Sequence, residues 1–164
     1  MPEQTYLNWP FLEDRHRELA VEFRCWADRE IAPLSEKEPE DDAGLDDLAR
    51  ELVKRLAAGD WLQYSVPSPW GGKYETLDVR ALCLMRETLA QYSGMADFSF
   101  VMQGLGSGPI SLFGSEDIRR KYLPDVAAGK RIAAFALSEI DSGSDVAAMT
   151  TNARLDGDHY VLNG

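Results

Sequence analysis

The side chains best suited to chemistry fall in one short stretch, Ser138-Glu139-Ile140-Asp141-Ser142-Gly143-Ser144-Asp145. It offers three serine hydroxyls, a glycine and two aspartates directly after the apolar, strand-like run Arg131-Ile132-Ala133-Ala134-Phe135-Ala136-Leu137. Such a loop can turn backbone N–H groups and hydroxyls toward one point, as proteins do to hold phosphate oxygens. Gly143 would let the backbone come close to a ligand. The same residue types also build ordinary turns. On composition alone, both readings stand.

The neighbouring residues add a resemblance. Phe135-Ala136-Leu137-Ser138-Glu139, followed after an interval by Ser144-Asp145, resembles the flavin-binding signature of the acyl-CoA dehydrogenase family. Asp156-Gly157-Asp158-His159-Tyr160-Val161-Leu162-Asn163-Gly164 is similar to the hairpin that follows it. Upstream, Val66-Pro67 with Trp70-Gly71-Gly72 resembles the family's turn between its second and third helices. Gly108-Pro109-Ile110, Gly114-Ser115 and Lys121-Tyr122-Leu123-Pro124 resemble its helical segments before the sheet. The likeness runs from about Phe11 to the end of the chain.

The resemblance implies non-covalent FAD, an acyl-CoA thioester substrate and a 2-enoyl-CoA product, with electrons leaving through an electron-transfer flavoprotein. It also implies a homo-oligomer, dimer or tetramer, for the complete protein. By position, Phe135 would lie beside the isoalloxazine, and Leu137 and Ser138 would give it N–H groups. Gly143 and Ser144 would approach the pyrophosphate, with Ser144 also close to the substrate. The plainer alternatives are core packing for Phe135 and Leu137, and turn capping for Ser138 and Ser144. Ile140-Asp141-Ser142 departs from the family's usual Pro-Gly-Ala, which changes the loop's preferred conformation and brings the charge of Asp141 near the phosphate site. No position matches the family's glutamate base, so no catalytic residue is assigned, and Glu139 is not taken as the base. The 164 residues alone are expected to be inactive.

Composition limits the other classes. Of 164 residues, 45% are hydrophobic and 27% charged, as in a globular domain with a real core. The formal charge of −11 argues against nucleic acid or an anionic membrane as partner. Cys25 and Cys83 lie far apart and read as reduced thiols. His16 and His159 are isolated, so no metal site is expected. No secretory leader and no run of about 18 apolar residues is visible, so neither export nor membrane insertion is expected, and the cytoplasm is the expected location.

The elements that position the loop read as helices first and strands afterwards, an α+β arrangement. After an irregular lead-in, Met1 to Pro10, Leu12, Leu19, Phe23, Trp26, Ile31 and Leu34 give a helical stripe ending at Pro33. Ser35 to Gly44 reads as an acidic surface loop. A second helix carries Leu45, Leu48, Leu52, Val53 and Leu56, with Asp46 and Asp47 in its first turn and Gly59 as its stop. Trp61 to Gly72 reads as a connector. A third helix is expected to be capped by Thr76 and closed by Ser93-Gly94. Met95 to Phe113 reads as a buried helix broken or weakened near Gly104, Gly106 and Gly108. Its glycines serve close packing or, under the resemblance, leave Phe100, Met102, Gln103 and Leu105 as candidates for an acyl-pocket wall. Ser115 caps a short helix interrupted by Pro124. Ile132 to Leu137 is expected to be a strand, and Asp156-Gly157-Asp158 marks a hairpin.

The expected division is an all-α helical bundle at 1–130, followed at 131–164 by the first strands of a β domain. An unpaired final strand is an edge that folded proteins usually cover, so an N-terminal fragment of an acyl-CoA dehydrogenase-like fold is expected. Two other functions share these features: an acyl-CoA-dehydrogenase-like flavin oxidase or monooxygenase, and a non-enzymatic helical interaction module whose serine loop is only a turn.

Overall fold

The computed structural model describes residues 5–36 and 38–164. Residues 1–4 of the lead-in and Lys37 of the acidic loop lie outside the described residues. The chain forms two compact units, Met1–Ala134 and Phe135–Gly164.

The first unit is helical: α1 (Asp14–Glu30), α2 (Ala32–Ser35), α3 (Asp42–Ala58), α4 (Val79–Ala90), α5 (Gly94–Phe113) and α6 (Glu116–Ala127). Short 3₁₀ turns occupy Thr5–Asn8, Trp61–Ser65 and Ser68–Trp70. The apolar stripes converge as their spacing requires. Leu19, Phe23, Trp26 and Ala27 of α1 meet Leu52, Val53 and Leu56 of α3, Met85 and Leu89 of α4, and Phe100 of α5. Each fully buried Leu, Met or Phe contributes about 1.5–3 kcal/mol of transfer free energy. Aromatic rings bind the helices to the connector: Phe23 lies 5.3 Å from Trp26 and 4.8 Å from Trp61, and Tyr64 lies 5.5 Å from Tyr74. Val66, Leu123, Val126 and Ala127 form a second cluster beneath α6.

Several boundaries differ from the sequence reading. α3 begins at Asp42, inside the stretch read as a loop, and Asp41 caps it by accepting from the Gly44 N–H at 2.9 Å. After Gly59, which keeps a negative φ of −90°, Asp60 takes the left-handed conformation at φ 61°. Asp78, not Thr76, caps α4, because its carboxylate reaches the N–H groups of Arg80 and Ala81. Ser93 opens α5 by accepting from Met95 and Ala96, so Ser93-Gly94 begins one helix rather than closing another.

α5 runs unbroken for 20 residues through all three glycines and Pro109. Gly106 explains part of this. A Cβ there would lie 2.7 Å from the Ala134 carbonyl oxygen, so the glycine permits a backbone approach that no side chain allows. Proline removes one hydrogen-bond donor but leaves later ones intact. Beyond it, the Gly114 N–H still reaches the Ile110 carbonyl at 2.9 Å. Pro124 likewise sits inside α6, where its carbonyl accepts from Ala128 at 3.0 Å.

The expected strand at Ile132–Leu137 is absent. Among the described residues it has no ladder partner. Gln103 takes that role, since its Oε1 accepts the Ala133 N–H at 3.1 Å from the side of α5.

The second unit ends in an antiparallel hairpin, β1 (Asn152–Asp156) with β2 (His159–Asn163). The register pairs Asp156 with His159 and leaves the two-residue loop Gly157-Asp158. Gly157 has φ 66°, as expected for glycine at the first central position of a II′ turn. The fold is therefore mostly helical with a two-stranded sheet at the C-terminal end, as the α+β reading expects. Among the described residues, no helix is long and apolar enough to cross a membrane.

Candidate functional site

The serine loop lies within Phe135–Gly164, and its shape is set by its own short-range bonds. The Glu139 N–H donates to the Ser142 carbonyl at 2.9 Å, and the Ser142 N–H returns to the Glu139 carbonyl at 3.3 Å. This closes a tight turn with Ile140 and Asp141 at its tip. Ile140 is fully exposed there. Ser142 is the buried residue of the loop, and its hydroxyl donates to the Asp145 carbonyl at 2.8 Å. The same carbonyl accepts from the Ala148 N–H at 3.1 Å and starts the 3₁₀ turn Val146–Ala148.

Glu139 braces the far side. Its Oε2 accepts the N–H and the hydroxyl of Thr150 at 2.9 and 3.0 Å, and its Oε1 accepts the Thr151 N–H at 2.8 Å. These donors, the Thr150 N–H foremost and Thr151 next, favour the ionised form and pull the carboxyl down to about 2. Sequence reasoning gave Glu139 no role, because the residues it binds lie 11 and 12 positions downstream.

The five candidate residues fall on the open parts of this frame. Phe135 and Leu137 are 37% and 38% exposed, so core packing alone does not account for them. Ser138, Gly143 and Ser144 are exposed. The N–H groups of Leu137, Ser138, Gly143 and Ser144 donate to no acceptor among the described residues. Nothing lies within 4 Å of where a Gly143 Cβ would stand. The turn-capping work considered for Ser138 and Ser144 is done by Ser142 instead. The loop thus presents four unpaired backbone donors, two hydroxyls and two half-exposed apolar side chains on a fixed frame. That donor set fits the oxygens and ring edge of a flavin nucleotide. Asp141 adds an exposed carboxylate at the tip.

Of the residues named for an acyl-pocket wall, Phe100 and Leu105 line one pocket between α4 and α5. Phe100 and Gln103 are buried, Met102 is half-buried, and Leu105 is 45% exposed. Elsewhere in the helical unit, His16 is fully buried. Its Nδ1 accepts the Glu13 N–H, and its Nε2 lies 3.0 Å from Asp78 Oδ2. This places it in a structural polar network. Among the described residues, no group of three His, Cys, Asp or Glu side chains could hold a metal ion.

A helical unit and a second unit with a polar loop and a hairpin define an α+β class, and comparison with known proteins gives the family. Residues 13–130 match the family model described as acyl-CoA dehydrogenase, N-terminal domain, and the chain belongs to that family. It is 35% identical to a probable acyl-CoA dehydrogenase of Mycobacterium leprae over 93% of this chain and 38% of the relative. It is 32% identical to the 3-(aryl)acrylate reductase of Clostridium sporogenes over 94% of this chain and 40% of the relative. Among solved structures, it superposes on the acyl-CoA dehydrogenase of Bacillus anthracis complexed with FAD, with a TM-score of 0.77 and 33% identity. That superposition covers 94% of this chain and 26% of the other. The chain therefore spans well under half the length of the relatives it matches.

Proposed function

We propose that this chain supplies the N-terminal helical domain, residues 1–130, and the opening of the β domain, residues 131–164, of an FAD-dependent acyl-CoA dehydrogenase. The reaction is the α,β-dehydrogenation of an acyl-CoA thioester to the 2-enoyl-CoA. The observation that carries the reading is the set of unpaired N–H groups at Leu137, Ser138, Gly143 and Ser144 on a loop braced by Glu139 and Ser142.

In this reading the Leu137 and Ser138 N–H groups orient the ring system, and the half-exposed Phe135 side chain covers one side of it. Gly143 and Ser144 give their N–H groups to the pyrophosphate, and the Ser144 hydroxyl faces the acyl-CoA. Bound FAD supplies the hydride acceptor that side chains cannot. Donors held at the ring would stabilise the negative charge that builds there on reduction. Asp141 at the loop tip opposes a second anion, so the phosphate contacts rest on backbone donors and not on charge. No residue of this chain takes the part of the base. Electron-transfer flavoprotein is the proposed acceptor, the complete protein a cytoplasmic dimer or tetramer.

The test is the visible spectrum of the complete natural protein before and after anaerobic addition of acyl-CoA. A bound flavin that bleaches supports the reading. A protein that takes up no FAD overturns it and returns the loop to a structural turn.

The relative named as a 3-(aryl)acrylate reductase favours a second reading, the same carbon–carbon couple run toward reduction. Bleaching by a saturated thioester separates the two from reoxidation by an unsaturated one.

A further inference from the structure

A cavity of about 370 Å³ opens between the lead-in to α1 and α4. Tyr6, Trp9 and Phe11 of the lead-in line it, together with Arg80, Cys83 and Glu87 of α4. Its size falls within the roughly 300–1,000 Å³ of small-molecule sites. All of these residues belong to the helical unit, and none of them enters the proposed dehydrogenation.

The aromatic wall is held in place. Tyr6 and Leu7 pack on the buried cluster of Leu12, Ala20 and Leu84. Arg17 donates to the carbonyls of Leu7 and Leu12, each at 2.8 Å. Even so, Trp9 and Phe11 are each 54% exposed. Their ring centroids lie 5.5 Å apart at 57°, and Trp9 meets Tyr6 at 6.2 Å and 67°. Three tilted rings left open to water beside a cavity mark a surface that takes a ligand.

Charge defines that ligand. Burial first, and then Glu87 as acceptor of its hydrogen bond, push the Tyr6 hydroxyl up to about 12. A carboxylate therefore stands directly against the aromatic cluster. Arg24 acts on the same hydroxyl in the opposite sense, but less than Glu87 does. Arg80 is already compensated. Its guanidinium donates to the Phe11 carbonyl at 2.7 Å, pairs with Glu13 at 2.8 Å and lies 3.5 Å from Asp78. The π-faces of aromatic rings attract cations, and grouped rings are how proteins recognise quaternary ammonium groups. An anion would meet Glu87, and a neutral guest would gain nothing from it.

We propose that this cavity binds a small organic cation bearing a trimethylammonium group, with Tyr6, Trp9 and Phe11 around the methyl groups and Glu87 as counter-charge.

The test uses Cys83 as the reporter. Its thiol is exposed and lines the cavity, whereas Cys25 is exposed on α1 and does not line it. The complete natural protein is alkylated with iodoacetamide, a neutral reagent, and both cysteines are followed by peptide mass spectrometry. Choline should slow the reaction at Cys83 and leave Cys25 unchanged. Its uncharged isostere, 3,3-dimethylbutan-1-ol, should protect Cys83 only at about tenfold higher concentration, the scale of a cation held by rings and one carboxylate. Glu87→Gln should narrow that gap while the isostere still protects. Trp9→Ala removes a half-exposed ring, so it should fold normally and abolish protection by choline. Equal protection by the two compounds, or a gap unchanged in Glu87→Gln, overturns the cation as ligand. Choline that protects neither cysteine, or both alike, overturns the site. A Cys83 that iodoacetamide fails to reach in the complete protein shows the cavity covered, and overturns it too.

Discussion

One carboxylate oxygen of Glu139 accepts both the backbone N–H and the hydroxyl of Thr150, at 2.9 and 3.0 Å. This joins the start of the serine loop to the approach of the hairpin. The carboxyl is pulled from its ordinary 4.5 down to about 2. A carboxyl with a depressed folded value adds stability that is present above its unfolded value and is lost as pH falls through the folded one. The brace should therefore hold above about pH 4.5 and loosen toward pH 2. Amide NMR shifts of Thr150 and Thr151 should move over that range in the natural protein. In Glu139→Gln they should stay flat, and FAD retention should fall.

The loop separates residues that shape it from residues that present donors. Ser142→Ala removes the bond to the Asp145 carbonyl and should lower the stability of the loop by about 1 kcal/mol. Gly143→Ala meets nothing within 4 Å and should leave stability unchanged within about 0.5 kcal/mol. It should nonetheless weaken FAD binding, because the methyl group occupies the approach to the donors. Parallel urea melts and FAD titrations of the two variants check this pair. Equal FAD affinity in Gly143→Ala and the natural protein would remove the loop from the cofactor site.

Gly104 and Gly106 should respond to alanine with opposite signs. At Gly106 the new Cβ would press on the Ala134 backbone at 2.7 and 2.8 Å, a clash worth about 1–3 kcal/mol of destabilisation. At Gly104 the nearest atom is 3.7 Å away, and the helix gains up to about 1 kcal/mol from losing a glycine. Urea midpoints at constant m-value measure both.

Asp78 joins α4 to α1. It caps α4, meets Nε2 of the buried His16 at 3.0 Å and pairs with Arg15 at 2.9 Å. Asp78→Ala should cost about 2–4 kcal/mol, since a cap and a mostly buried charge partner vanish together. Asp78→Asn keeps the capping oxygen and should recover about half of that loss. Chemical denaturation of both variants tests it.

Local patterns made much of this fold legible. The stripes of Leu19, Phe23 and Trp26, and of Leu52, Val53 and Leu56, lie in the core as their spacing requires. Asp156-Gly157-Asp158 turns as its composition demands. What escaped depends on distant partners. The glycines of α5 look like a break until the packing of this helix against α3, α4 and α6 is known. Ile132–Leu137 looks like a strand because its apolar pattern cannot reveal that Gln103, some 30 residues earlier, holds its backbone instead. Asp78 outcompetes Thr76 as a cap because His16, 62 positions away, fixes its carboxylate. In the loop the residue types were visible, but the division between Ser142 as a strut and Ser138 and Ser144 as open positions needed coordinates.

The aromatic cluster also decides what an unfolding experiment can see. All four tryptophans, Trp9, Trp26, Trp61 and Trp70, belong to the helical unit, and the rings of Trp26 and Trp61 are 5.7 Å apart in its core. The unit that carries the serine loop has no tryptophan, and its Tyr160 is 67% exposed. Intrinsic fluorescence will therefore follow the dissolution of the helices while remaining nearly blind to the loop and hairpin. A single emission curve could look cooperative while that unit had already opened, so an optical reporter introduced after Phe135 is needed to follow it.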